Sequence, residues 1–208
     1  MRGADFVGLN EVHGPSAWQS GDQAATLGGL LGLTSLYAPT EDPWINPQFG
    51  NGLLTRVAVD HWQVVPLPRI YGKSYRNLVH VRARAANGTP VNIVVTHLDR
   101  SDDAERLQQL STVRNFFLSL APPAVLLGDL NSDADYPSLK QLLLQPDVVD
   151  ALGAKLNDQT PRHIDWIIVR GATVTDAGLT DAGPSDHPYA WADLVIPPAA
   201  ATAAAEPR

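Results

Sequence analysis

Polar and ionisable residues stand at the ends of apolar runs in this sequence. Asp129 and Asn131 directly follow the apolar run 124–127, and His97 closes the run 91–95. The other members of this set are Glu11 in DFVGLNE, Asp165 in HIDWIIV, and Asp186 and His187 before PYAWADLVI. Because the strand ends of a layered α/β protein share one rim, where ligands usually bind, we expect these side chains to lie close together.

The chemistry open to this set is that of carboxylate oxygens and imidazoles. Carboxylates suit a hard cation such as Mg²⁺ or Mn²⁺ better than zinc. A hard cation beside histidines can hydrolyse phosphate esters, since the metal neutralises phosphate charge while the histidines move protons. The sequence contains no G-x-S-x-G, G-x-G-x-x-G or H-E-x-x-H motif and no phosphate-binding Gly loop with Lys. Each residue alone has an ordinary structural role, but the whole set at strand ends favours a site.

Hydrophobic periodicity predicts the elements that carry these residues. Eight strand-like runs recur, and two of them, PVNIVVTH and AVLLGD, are almost continuously apolar, as in central strands. A helix is predicted between these two, with a capping box from Asp102 to Glu105. Its apolar stripe is Leu107, Leu110, Val113, Phe117 and Leu120. Shorter helices are predicted over about 137–144 and within SAWQSGDQAATLGGLLG, so the fold class is α/β or α+β.

Length and composition indicate one folded domain, which we place at residues 1–196, with a disordered Ala/Pro tail over 197–208. No apolar run approaches the roughly 20 residues of a membrane span, and the start lacks a signal peptide. We therefore expect a monomer without a membrane span, cytoplasmic by default. The net charge of −7, with no basic cluster, argues against non-specific nucleic-acid binding. The absence of cysteine excludes disulfides.

Seven motifs, in this order, resemble those of the endonuclease/exonuclease/phosphatase family of metal-dependent phosphoesterases. They are DFVGLNEV, GNGLLTR, VVTHLD, RLQQL, LLGDLNS, TPRHIDWIIV and SDHPYAWADL, and they span nearly the whole chain. The resemblance implies a four-layer α/β sandwich, in which two mixed β-sheets pack face to face with helices outside. It also implies an enzyme that hydrolyses phosphate esters with Mg²⁺ or Mn²⁺.

The same resemblance implies a role for each strand-end residue that could act on the metal or on water. Glu11 would be the principal metal ligand, and Asp186 a further ligand of metal or water. Asp129 and Asn131 would position and polarise the attacking water and the phosphate.

The histidines would then handle protons and phosphate oxygens. By the resemblance, His187 acts as a base or phosphate ligand, and Asp165 fixes its tautomer, as a carboxylate does for a catalytic imidazole. His97 would contact the phosphate or help to protonate the leaving group.

Three further residues are candidates for contact with substrate. His13 stands two positions after Glu11 and could reach the phosphate, although a solvated loop histidine fits equally well. Asn51 in GNGLL could line the cleft, although Asn-Gly is first of all a turn signal. Arg76, just before the NLVHVRARA strand, could hold the phosphate, whereas an arginine there more often lies on the surface.

The start of the chain departs from the family pattern. Family members begin with a strand that ends in Asn and a helix, before the DFVGLNEV motif, whereas Met1 here stands ten residues before Glu11. We expect unpaired strand edges and apolar surface beside the YAWADLVI strand, where that first strand would lie. We expect a misassigned start or an incomplete chain rather than a catalytically weakened relative.

The leading function hypothesis is a phosphodiesterase or nuclease-type hydrolase that uses a metal-positioned water on a phosphate ester, which could be nucleic acid. The alternatives are a small-molecule or lipid-headgroup phosphatase or phosphodiesterase of the same fold, and a non-enzymatic binding module. GLNEVHG lacks the Lys of apurinic endonucleases, so that branch is disfavoured. A serine hydrolase built on Ser185 and His187 lacks a nucleophile elbow.

Overall fold

The structure is a computed structural model that describes residues 3–15, 21–40, 49–70, 75–156, 163–180, 183 and 185–199. The elements in these ranges are, in chain order, β1 (Phe6–His13), α1 (Gln23–Leu31), β2 (Thr34–Pro39), β3 (Phe49–Thr55), β4 (Val59–Pro66), β5 (Asn77–Arg84), β6 (Pro90–Thr96), α2 (Asp103–Ser119), β7 (Ala124–Asp129), α3 (Pro137–Leu143), β8 (Val148–Asp150), α4 (Gly153–Leu156), β9 (Asp165–Arg170), β10 (Thr173–Thr180) and β11 (Tyr189–Val195). Within them, no helix has both the length and the apolarity that crossing a membrane requires.

One mixed sheet of six strands, in the order β4-β5-β6-β7-β9-β8, forms the centre of the fold. β6 and β7 run parallel and are joined through α2, while the other neighbours are antiparallel. β6 and the first half of β7 are almost wholly buried, because helices cover one face and a second layer of strands covers the other. The two apolar runs are therefore central strands, as predicted.

Packing of the second layer of strands on this sheet produces the layered architecture. Leu53 of β3 and Ala177 of β10 share one buried cluster with Val81 and Val95 of the six-stranded sheet. α2 and α3 cover the opposite face of that sheet, whereas α1 packs on β1 and β3 through a small cluster that includes Ala24. The order is therefore helix, sheet, sheet, helix, which confirms the predicted α/β sandwich.

The second layer differs from expectation because it consists of two antiparallel sheets, β1-β3-β2 and β10-β11, rather than one mixed sheet. A groove of about 1,170 Å³ separates β1 from β11, and its floor includes Ile93, Val125 and Ile167. Across the described ranges, β1 pairs only with β3 and β11 only with β10. The strand edges expected beside YAWADLVI face this groove.

The long helix α2 begins at the predicted cap and buries Leu110, Val113 and Phe117 of the predicted apolar stripe, but it also buries two polar residues. The Asp102 side chain accepts a hydrogen bond from Glu105 N at 2.9 Å. Glu105 does not return the bond: its carboxylate accepts from Ile70 N and from the Gln109 side chain. Glu105 and Gln109 are buried because they bond the 67–70 loop to the helix. Leu107, in contrast, is exposed.

The first residues of the predicted tail are attached to the domain. Thr89 Oγ1 donates to Pro197 O at 3.0 Å and accepts from Ala199 N at 2.9 Å. Residues 197–199 therefore bind the loop before β6, in contrast to the disorder expected from position 197 onward. The remainder of that tail, 200–208, lies outside the described residues.

Candidate active site

Five of the predicted residues meet at one rim of the six-stranded sheet. β7 and β9 pair so that Asp129 lies opposite Asp165, and His187 Nδ1 is 2.7 Å from Asp165 Oδ2. One ligand atom from each of these three residues lies within 4.8 Å of the other two. His97 Nε2 lies 3.6 Å from Asp129 Oδ2 and 3.8 Å from Glu11 Oε1. The structure thus gathers three carboxylates and two imidazoles around one point.

Two of the candidate residues at this rim have an unusual backbone conformation. Glu11 and Asn131 have φ values of 57° and 48°, the only positive values for non-glycine residues in the described ranges. Glu11 lies at an irregularity in the pairing of β1 with β3, and such bulges re-aim side chains. Left-handed residues of this kind cost on the order of 1 kcal/mol each, and such strain concentrates at functional sites.

Gly128, just before Asp129, allows the ends of β6 and β7 to approach each other closely. Its φ is 133°, and a Cβ at this position would lie 1.9 Å from Thr96 O. No side chain fits there, so the glycine of the LLGDLNS motif is required by backbone packing. It brings Asp129 beside His97, which follows Thr96 at the end of the neighbouring strand.

A buried network of side-chain amides fixes the strand ends from below. Asn10 Nδ2 donates to Asn51 Oδ1 at 2.8 Å and to Thr96 O, while Asn10 Oδ1 accepts from Asp129 N at 2.9 Å. Asn51 Nδ2 in turn donates to Asn77 Oδ1 at 2.9 Å. Asn51 is fully buried, so it joins strands instead of lining the cleft as expected. Asn10 was not singled out from the sequence, where only its proximity to Glu11 could have indicated it.

Asp129 is a buried carboxylate with a raised affinity for protons. Its Oδ1 accepts from Asn131 N at 2.7 Å, and the Asn131 amide donates to Leu98 O at 2.9 Å. Burial raises the pKa of Asp129 to about 6, and the negative charges of Asp165 and Glu11 add to this effect. A cation bound among these carboxylates would favour the ionised form and remove this penalty.

His187 and Asp165 are hydrogen-bonded to each other, which is the contact that the resemblance implied. The hydrogen bond to Asp165 is the main cause of the raised pKa of His187, and the charges of Asp129 and Asp186 contribute. Because a carboxylate accepts this bond, Nδ1 carries the proton in the neutral ring of His187, and Nε2 then has a lone pair. Ser185 Oγ accepts from His187 N at 3.1 Å, so the serine shapes this loop.

His97 lies in a different environment from His187. It is only 4% exposed, and Arg76 Nη1 lies 3.0 Å from its Nδ1. Burial and the neighbouring Arg76 charge lower the pKa of His97 to about 3, so the ring is neutral at physiological pH. A neutral imidazole can donate a hydrogen bond to phosphate, but it is a poor acid for the leaving group, the second role considered for it. Arg76, expected to hold substrate, directs its guanidinium to this ring.

The remaining predicted residues lie around the site. His13 is exposed at the end of β1, where its ring meets the edge of Phe49 at 5.7 Å. Phe49 also lies 6.2 Å from the His97 ring and forms a rim wall that sequence reasoning missed. Glu11 and Asp186 lie outside the group of Asp129, Asp165 and His187. The side chain of Glu11 is mostly exposed and borders that group through its contact with His97.

The fold is an α/β sandwich whose strand ends carry a rim of carboxylates and imidazoles. The family model described as "Endonuclease/Exonuclease/phosphatase family" matches residues 2–187. The chain therefore belongs to the endonuclease/exonuclease/phosphatase family, which confirms the resemblance seen in its motifs. Among curated proteins, none matches the sequence.

Solved structures of this family share the fold at low sequence identity. An endonuclease/exonuclease/phosphatase from Beutenbergia cavernae DSM 12333 superposes with a TM-score of 0.76 at 24% identity over 92% of this chain, which spans 62% of that protein's length. The catalytic domain of human Nocturnin, with bound sulfate, gives 0.66 at 20% identity, with 88% of this chain and 75% of that one covered. The mannosyl-6-phosphatase Bt3783 of Bacteroides thetaiotaomicron VPI-5482 gives 0.69 at 16%, with 92% and 85% covered.

Proposed function

We propose that this protein hydrolyses phosphate esters with a divalent cation, Mg²⁺ or Mn²⁺, and that phosphodiesters are its main substrates. The observation that carries the proposal is the convergence of Asp129, Asp165 and His187 within 4.8 Å at the strand ends, with Glu11 and His97 beside them. Burial, with the nearby charges of Asp165 and Glu11, raises the pKa of Asp129, and such a cluster of carboxylates is typical of a site that receives a cation.

The donor set fits a hard cation. Glu11 and Asp129 place carboxylate oxygens near His97 Nε2, and burial followed by the charges of Asp165 and Glu11 raises the pKa of Asp129. These two residues would hold the cation, with Asp186 as a further ligand or a ligand of its water. When bound, the cation neutralises charge on the phosphate and makes water more acidic.

The chain's own residues supply the proton transfer and the orientation. His187 Nε2 is the lone-pair nitrogen, so it accepts the proton of the attacking water. Asp165 accepts the Nδ1 hydrogen bond and stabilises the imidazolium as it forms. His97 Nε2 donates to a non-bridging phosphate oxygen, and Asn131 fixes the loop that follows Asp129.

A small-molecule or lipid-headgroup phosphate ester is the second candidate substrate, and the charge of the chain favours it. Twenty-two acidic residues against 15 basic ones, with no basic cluster, offer little attraction for long nucleic acids. The fold does not identify the substrate, because proteins as different as a nocturnin and a mannosyl-6-phosphatase share it.

The test is hydrolysis of bis(p-nitrophenyl) phosphate, p-nitrophenyl phosphate and supercoiled plasmid, with Mg²⁺, Mn²⁺ or EDTA. Glu11→Gln and His187→Ala should abolish cation-dependent turnover, while Asp135→Asn, which changes an exposed carboxylate, should not. Preference for the diester supports the leading proposal, and preference for the monoester supports the second candidate. A folded protein that binds Mn²⁺ without turnover of any substrate would instead be a binding module.

A further inference from the structure

We propose that Arg76 is a positioning residue: it holds His97 in the tautomer with the proton on Nε2, so the two site histidines carry opposite tautomers. The tautomer assignment follows from contacts within the chain alone. Its consequence for catalysis rests on the proposed phosphoesterase function, and the two parts are tested separately below.

The direction of the hydrogen bond between Arg76 and His97 fixes this tautomer. A guanidinium has only donor groups, so at 3.0 Å from Arg76 Nη1 the Nδ1 atom of His97 must accept. A neutral imidazole that accepts at Nδ1 carries its proton on Nε2. His97 is almost fully buried, which limits competition from water for this bond.

The fold places the two side chains in this contact through neighbouring strands. Arg76 immediately precedes β5, and its carbonyl accepts from Leu67 N at 2.9 Å, which fixes the backbone at that point. β5 pairs with β6 so that Leu78 lies opposite Thr96, the residue before His97. The guanidinium and the imidazole therefore extend from adjacent strand ends.

His187 has the opposite tautomer in its neutral form. Its Nδ1 lies 2.7 Å from Asp165, which as a carboxylate only accepts, so Nδ1 carries the proton and Nε2 is an acceptor. The Nδ1 atom of His97 therefore contacts a cation, Arg76, whereas the Nδ1 atom of His187 contacts an anion, Asp165. Across the site, His97 presents N–H and His187 presents a lone pair, which suits a phosphate oxygen on one side and a water proton on the other.

The tautomer of His97 can be read directly from ¹⁵N NMR of the histidine rings in EDTA-treated protein, without any turnover. We expect an acceptor-type Nδ1 and a protonated Nε2 for His97 in the wild type, and the reverse for His187. His97→Gln assigns the resonances. Arg76→Met should let His97 populate both tautomers, whereas Arg76→Lys keeps a donor and should retain the wild-type one.

The matched control is Arg69→Met, which removes a cation from the preceding loop, where Arg69 stacks on Tyr75 at 4.5 Å. This variant should leave the His97 spectrum unchanged. A protonated Nδ1 in wild-type His97 would overturn the inference, as would an unaltered tautomer in folded Arg76→Met protein. If the Met variant does not fold, the wild-type and Arg76→Lys spectra decide: a protonated Nε2 on His97 in both supports the inference, and loss of that tautomer in folded Arg76→Lys overturns it.

A kinetic cycle separates positioning from direct phosphate binding. If Arg76 acts through His97, Arg76→Met lowers kcat by about 10- to 100-fold, the range for residues that orient functional histidines, and adds nothing to His97→Gln. An increase in KM that multiplies with the effect of His97→Gln would mean that Arg76 binds phosphate itself, which contradicts the inference. Absence of turnover in the wild type would refute the phosphoesterase proposal and leave the NMR result standing.

Discussion

Replacing Asp129 by Asn should stabilise the metal-free protein at neutral pH while abolishing its activity. The carboxyl is buried, and burial together with the nearby Asp165 and Glu11 raises its pKa from 3.8 to about 6. Asn has nearly the same shape and keeps an oxygen that can accept from Asn131 N, as Asp129 Oδ1 does at 2.7 Å. It therefore removes the charge with little change in packing.

The size of the stabilisation follows from linkage between proton binding and folding. The folded protein binds this proton more tightly than the unfolded chain, so the contribution of Asp129 to stability is fully present below about pH 3.8 and is lost as pH rises to about 6. The pKa difference is about 2, and each pKa unit is worth about 1.4 kcal/mol, so the destabilisation at pH 7 is about 3 kcal/mol. Asp129→Asn should recover an amount of this order at pH 7 and almost none of it near pH 4.

The assay is urea denaturation of the wild type and the variant in EDTA, at pH values from 4 to 8. The difference between their free energies of unfolding should grow between pH 4 and 6 and then stay constant. Asp135→Asn is the control, because the Asp135 side chain is exposed and its pairing with Lys140 contributes little. A difference that does not change with pH, or that favours the wild type at pH 7, would refute the account of Asp129 as an uncompensated buried charge.

Two further changes test other contacts. Asp165→Asn removes the main cause of the raised pKa of His187, so the acidic limb of the pH–rate profile should move to lower pH. The value of kcat should fall by about 10²- to 10⁴-fold. An acidic limb that stays in place in active protein would exclude His187 as the base. Arg170→Met should lower the free energy of unfolding by about 2 kcal/mol in urea, since the guanidinium donates to the carbonyls of Phe117, Leu118 and Leu120 at the end of α2. Unchanged stability would mean that water satisfies these carbonyls.

Most of the fold could be predicted from the sequence because its signals are local. The continuous apolar runs of β6 and β7, and the stop at Pro122–Pro123 after α2, need only the residues themselves. The burial of Glu105 could not be predicted, since helical periodicity records apolar residues and this carboxylate is buried through a bond to Ile70 N in a distant loop. The division of the second layer into two sheets also depends on long-range pairing.

The site could be predicted as a set of residues but not as a set of contacts. Polar residues after apolar strands indicated the rim, and Asp165 and His187 were correctly expected to interact. Asn51 and Arg76 were also singled out, but as groups that meet substrate. Their side chains instead contact Asn77 and His97, and nothing in the local sequence around either residue specifies such a partner.

The backbone at Asn131 gives a last test of how the site is built. With φ at 48°, this residue is in the left-handed region, where Gly is free of strain and Ala costs about 1–2 kcal/mol. At ordinary positions Gly is less stable than Ala by about 0.5–1 kcal/mol. Asn131→Gly should therefore be at least as stable as Asn131→Ala, and Asp135 substituted in the same two ways should show the ordinary order.

Both variants at 131 lose the amide that donates to Leu98 O at 2.9 Å, so both should fall well below the wild type in turnover. Their activities should be similar although their stabilities differ, because the side chain and the backbone act separately. If Gly at position 131 were less stable than Ala by the ordinary amount, the left-handed conformation would not be a constraint at this site. If Gly alone kept activity, the turn rather than the amide would be what the Gly-Asp-x-Asn motif provides.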